Sequence, residues 1–150
     1  MAKVGIFDTP PSKWFKFDSD TEVLLRHIDK GAVNTILMRG AAAAKTMKAK
    51  AGHVQDIFLG KEAVLGWRQV GDENKPGFLL PDGTPFPFSP ENRNRLMTKS
   101  KRFSEWVFRL CSDDQQFLEE EPEELAGDDL KGLDDLLDEL GNEEELPGNV

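Results

Sequence analysis

The side chains able to do chemistry near neutral pH are few and scattered. Two histidines, His27 and His53, and a single cysteine, Cys111, are the candidates for nucleophilic or general acid–base work. The histidines fall in different segments, and neither has a carboxylate at a spacing that would orient it. His27, at the end of a β-type run, reads as structural. Cys111 closes an apolar helical face and reads as a buried, inert thiol. Gly31, Gly40 and Gly60 do not compose a phosphate-binding loop, and the chain has no Gly-Lys-Ser/Thr. One cysteine excludes both an internal disulfide and a cysteine-cluster metal site. The acidic residues near the C-terminus lack the ordered spacing and central glycine of a calcium loop. No catalytic, cofactor-binding or metal-binding residue is assigned, and a binding protein without enzymatic activity is expected.

Charge divides the chain. The net charge is −9, but residues 1–112 hold 18 Lys and Arg against 12 Asp and Glu, a net of +6. Residues 113–150 hold 1 Lys against 16 acids, a net of −15. The basic residues Lys45, Lys48, Lys50, Arg93, Arg95, Lys99, Lys101, Arg102 and Arg109 raise a nucleic-acid hypothesis. The modest excess and the competing acidic tail argue against it. No apolar run approaches the roughly 20 residues that span a bilayer, and no secretory signal is read at the N-terminus, so a reducing cytoplasm is expected.

The elements that would position these residues follow from pattern. Residues 1–13 read as an irregular arm, stopped by Pro10-Pro11. Trp14-Phe15-Lys16-Phe17 and Thr21 to Ile28 flank the turn-forming Asp18-Ser19-Asp20 and predict a hairpin. Asp29 caps a helix from Lys30, with Val33, Ile36, Leu37, Gly40, Ala44 and Met47 on its apolar side. A second helix is expected over His53 to Leu59, interrupted at Gly60, with Lys61 to Leu65 as its continuation. Gly66 to Val70 predicts a strand. Phe78-Leu79-Leu80, the turn Pro81-Asp82-Gly83-Thr84 and the return Pro85 to Phe88 predict a second short hairpin. Ser89-Pro90-Glu91 starts a helix to about Met97, since serine caps, proline fits the first position and glutamate faces the positive end. Ser100 caps another, whose Phe103, Trp106, Val107 and Leu110 share a face.

Beyond Ser112, residues 113–127 have the composition of a disordered linker. In residues 128–140, Leu130, Leu133, Leu136, Leu137 and Leu140 form a stripe at helical spacing, a candidate for reversible partner contact or for docking on the chain's own body. The fold expected is α+β and mostly helical: an N-terminal hairpin and a short Trp-containing hairpin with about four helices, then a disordered acidic tail. The domains expected are 1–13, 14–112 and 113–150.

One run of motifs resembles a known family. It comprises Leu65 to Val70 around Trp67, the Asp82-Gly83 turn, Phe86-Pro87-Phe88-Ser89-Pro90-Glu91-Asn92, Leu96-Met97, and Phe103 to Val107 with Trp106. Over residues 14–112 the chain resembles the tail assembly chaperones of tailed phages, small proteins encoded between the tail-tube and tape-measure genes. The resemblance implies a non-enzymatic chaperone that binds the tape-measure protein and keeps it soluble in the host bacterial cytoplasm. It implies absence from the mature virion, no membrane association, no cofactor, and the tail-tube protein as a second possible partner; homo-oligomerisation stays open. The alternatives are a structural tail or head–tail component kept in the virion, and a nucleic-acid-linked or DNA-mimic regulator.

Overall fold

The computed structural model describes residues 1–118. Strands β1 (Ser12–Lys16) and β2 (Thr21–Arg26) form the expected hairpin. Its turn is held by the Asp18 carboxylate, which accepts from the amides of Asp20 and Thr21, both at 2.8 Å. Helix α1 (Lys30–Met47) follows, capped by the Asp29 side chain accepting from the Ala32 amide at 2.7 Å. Helix α2 (Ala51–Ala63) leads directly into β3 (Val64–Gln69). Helices α3 (Pro90–Lys99) and α4 (Lys101–Cys111) start at Ser89 and Ser100, whose hydroxyls accept from the Asn92 and Phe103 amides. A single 3-10 turn, Asp114–Gln116, ends the described body.

The α+β class and the N-terminal hairpin with four helices stand as expected. The Trp-containing strand takes a different place. β3 pairs antiparallel with β2, giving one three-stranded sheet in the order β1-β2-β3. The second hairpin is reduced to one bridge, Leu79 to Pro85, because the alternating prolines remove ladder donors. Cross-strand registry puts Phe15, Val23 and Trp67 on one face of the sheet. That inner face meets the helices, and β2 alternates accordingly, with Thr21, Val23 and Leu25 buried. On the outer face Arg68 stacks 3.7 Å over the Trp14 ring and bonds Glu22 at 2.8 Å.

Gly60 does not interrupt α2. The helix runs through it and ends at Ala63. A Cβ at Gly60 would come 2.7 Å from Met97 Cγ, so the missing side chain lets α3 approach. Gly40 has the same role between α1 and α2, where a Cβ would lie 3.0 Å from the Gln55 Cα. On α1, Ile36, Gly40 and Ala44 are buried as the spacing predicts, whereas Leu37 and Met47 are exposed. With α2 crossing at Gly40, the covered strip is narrower than the apolar face.

Order also extends past Ser112, against the reading of residues 113 onward as disordered. Phe117 and Leu118 are buried. The Phe117 ring meets Phe15 and His27 edge-on, at 5.4 and 5.3 Å between centroids. Composition hid this because two apolar residues were outnumbered by acids and glutamines.

Candidate partner-binding groove

The aromatic residues of the sequence resemblance gather around Trp67 of β3. Trp67 is stacked on Phe86, with 5.8 Å between centroids and 8° between planes, and meets Phe78 and Phe88 edge-on. Its indole N–H donates to the Phe86 carbonyl at 2.9 Å. A buried tryptophan needs such a partner, and this bond ties the loop to β3. The loop is shaped locally. Asp82 accepts from the Thr84 hydroxyl and amide, which together hold its carboxyl below the usual range, and Gly83 takes φ +90. The Asn92 side-chain amide donates back to the Pro87 carbonyl at 2.9 Å. Pro90 occupies the first turn of α3, and Glu91 faces its positive end. Phe103 is fully buried beneath this cluster, and Trp106 meets Phe17 at 5.0 Å and 87°. These residues form a core and a clasp, in which the Trp67 indole and the Asn92 amide are tied to the carbonyls of Phe86 and Pro87.

The groups screened for chemistry are placed apart. His27 is buried, its Nε2 lies 2.7 Å from Asp114 Oδ1, and its ring meets Phe7 and Phe117. This contact secures both ends of the body against the hairpin. Cys111 is buried, and desolvation pushes its thiol up to about 12. His53 is exposed on α2. Among the described residues, no three His, Cys, Asp or Glu side chains gather into a metal-binding group. No helix among them is long and apolar enough to cross a membrane.

The basic residues are partly engaged with rings. Arg102 lies over Phe17 at 4.5 Å and Arg95 over Phe86 at 5.3 Å. Lys101 reaches Glu105 at 3.9 Å, and burial lowers the Arg93 pKa.

A concave apolar surface lies elsewhere, between α1, α2 and α4. It encloses about 310 Å³, floored by Ile28, Ile36 and Leu59, with Leu37 and Phe108 among its walls. Those two are 44% and 43% exposed. Gln55 fixes the α1–α2 wall by donating from Nε2 to the Leu37 carbonyl at 2.8 Å. Asp56 stands in the same wall. Burial raises its carboxyl pKa, and His53 only partly offsets this.

Comparison with known protein families supplies a context. The model of the YdaY prophage protein family matches residues 21–128, from β2 through α4 and past the end of the described body. The chain belongs to the YdaY prophage protein family. It is therefore a phage-associated protein. No curated protein and no solved structure matches the chain. Within this YdaY family member, the hairpin strand β1 precedes the matched region, while both walls of the groove fall inside it.

The leucines proposed for partner contact, Leu130, Leu133, Leu136, Leu137 and Leu140, lie outside the described residues. Sequence reasoning missed the groove. Its one available signal was Phe108, a large aromatic lying off the Phe103–Leu110 stripe of α4.

Proposed function

We propose that this YdaY family member is a non-enzymatic tail assembly chaperone that binds the tape-measure protein and keeps it soluble during tail morphogenesis. The observation that carries the reading is the groove between α1, α2 and α4, with half-exposed Leu37 and Phe108 on its walls. A long amphipathic helical protein presents apolar residues at i, i+3, i+4 and i+7, and such a groove covers residues of that kind. Prophage family membership and the tail-chaperone-like motifs from Trp67 to Trp106 support the same reading. On this account the protein works in the host cytoplasm, leaves before the virion matures, and meets the tail-tube protein at hand-over.

The test is co-expression with the tape-measure protein of the same prophage. The soluble fraction of that protein should rise severalfold with the chain present. An unchanged soluble fraction would sink the proposal. Mass spectrometry of purified particles checks the second half: stoichiometric amounts of this chain in mature virions would instead favour a structural tail component.

A further inference from the structure

The groove is apolar, yet its charged lining has one sign. Asp56 on α2 and Glu105 on α4 stand in it, and no Lys or Arg lines it. Glu105 has a cation nearby, since Lys101 lies 3.9 Å away at the i,i+4 position. Asp56 has only His53, one helical turn back, whose charge partly offsets its burial without forming an ion pair. Its carboxylate, half-buried on the helix, accepts no hydrogen bond and joins no ion pair among the described residues. A carboxylate drawn partly out of water without a donor is costly to keep, and a donor brought by an occupant would recover that cost. The walls beside it, Leu37 and Phe108, are large apolar side chains left partly in water.

We infer that the groove selects an amphipathic helix carrying a Lys or Arg beside its leucine-type anchors: the apolar residues enter between Leu37 and Phe108, and the cation meets Asp56 and Glu105. This rests on the chaperone reading and narrows its target to basic helical segments. The same charges disfavour the chain's own residues 128–140 as occupant, because that leucine stripe is flanked by Asp128, Asp129, Asp134, Asp135, Asp138 and Glu139, with Lys131 alone opposing them. Placing those acids against Asp56 and Glu105 would set like charges together at a partly desolvated site.

The test is fluorescence anisotropy on the full chain with three labelled 14-residue peptides. One is an amphipathic leucine–lysine helix, one has the same composition scrambled to remove the apolar face, and one is an amphipathic leucine–glutamate helix. The first should bind at least tenfold more tightly than either of the others. Asp56→Asn and Phe108→Ala should each weaken the first peptide about fivefold or more while leaving the scrambled peptide unchanged. The scrambled peptide reads attraction to the acidic C-terminal residues, which neither substitution touches. Equal binding of the two lysine peptides, or wild-type affinity in both variants, overturns the inference. Loss of this selectivity with tape-measure solubilisation intact would refute the groove's preference alone. Selectivity without solubilisation would refute the chaperone reading alone.

Discussion

Removing the Phe103 ring should cost this protein a large share of its stability. Phe103 is fully buried, and its ring lies within 5.6 to 6.4 Å of the centroids of Phe17, Phe78, Trp106 and Trp67. Truncating a buried phenylalanine to alanine costs about 3–5 kcal/mol, through lost transfer energy and the cavity left behind. Four ring neighbours and no solvent exposure place Phe103→Ala near the upper end, at about 4–5 kcal/mol. Against a typical total of about 5–15 kcal/mol for a domain, that is about a quarter or more. Phe103→Leu keeps most of the volume and should cost about 1–2 kcal/mol, mainly the ring contacts. Phe108, five residues along the same helix but half-exposed, provides the control, and Phe108→Ala should cost under about 1 kcal/mol. The assay is urea unfolding followed by tryptophan fluorescence, with the slope expected to stay constant so that midpoints report stability. Equal midpoints for Phe103→Ala and Phe108→Ala would refute the placement of the core.

Other expectations follow from the same geometry. Cys111 should resist thiol reagents in the folded protein and react on unfolding, which timed labelling in urea would show. Because burial lifts its pKa from the unfolded value to about 12, the folded state keeps a proton that the unfolded state releases above about pH 8.5. Stability is unaffected well below pH 9 and falls as pH rises toward 12, by about 1–2 kcal/mol at pH 10, and Cys111→Ala should flatten this part of the urea-midpoint profile. Gly40→Ala should lower the melting temperature because the added carbon meets the backbone of α2, whereas Gly52→Ala, with nothing within 4 Å, should raise stability by about 0.5–1 kcal/mol. Ending the chain after Leu118 should preserve the thermal transition; ending it after Ser112 removes Asp114, Phe117 and Leu118 and should lower it by several degrees, as a calorimetric scan would read.

Helix starts were the most legible part of the fold. Asp29, Ser89 and Ser100 each cap the helix that local chemistry assigns to them, because a cap uses atoms within three residues. Long-range contacts were not legible. Nothing near Gly60 says that Met97 will rest on it, so a helix-weakening residue read as a break. The partner of the Trp67 strand is chosen across the intervening helices, so the sequence pattern assigned Trp67 to a separate short hairpin instead of to β2. The groove was least legible, since Leu37, Asp56 and Phe108 come from three helices and share no sequence spacing.

The pairing of β2 with β3 has a consequence for how the chain is made. Thr21–Arg26 must hold its inner edge open while both α1 and α2 are synthesised, since its partner, Val64–Gln69, comes after them. Closing a flexible loop of that length costs entropy before any pairing rewards it. The adjacent helices α1 and α2 can zip locally at Gly40 and Gln55, shortening the gap that the sheet must bridge. Phe103 reaches the ring cluster later still. For a chain leaving the ribosome N-terminus first, the early hairpin is therefore an unfinished surface with one apolar face, and the nascent protein is itself aggregation-prone until α4 emerges.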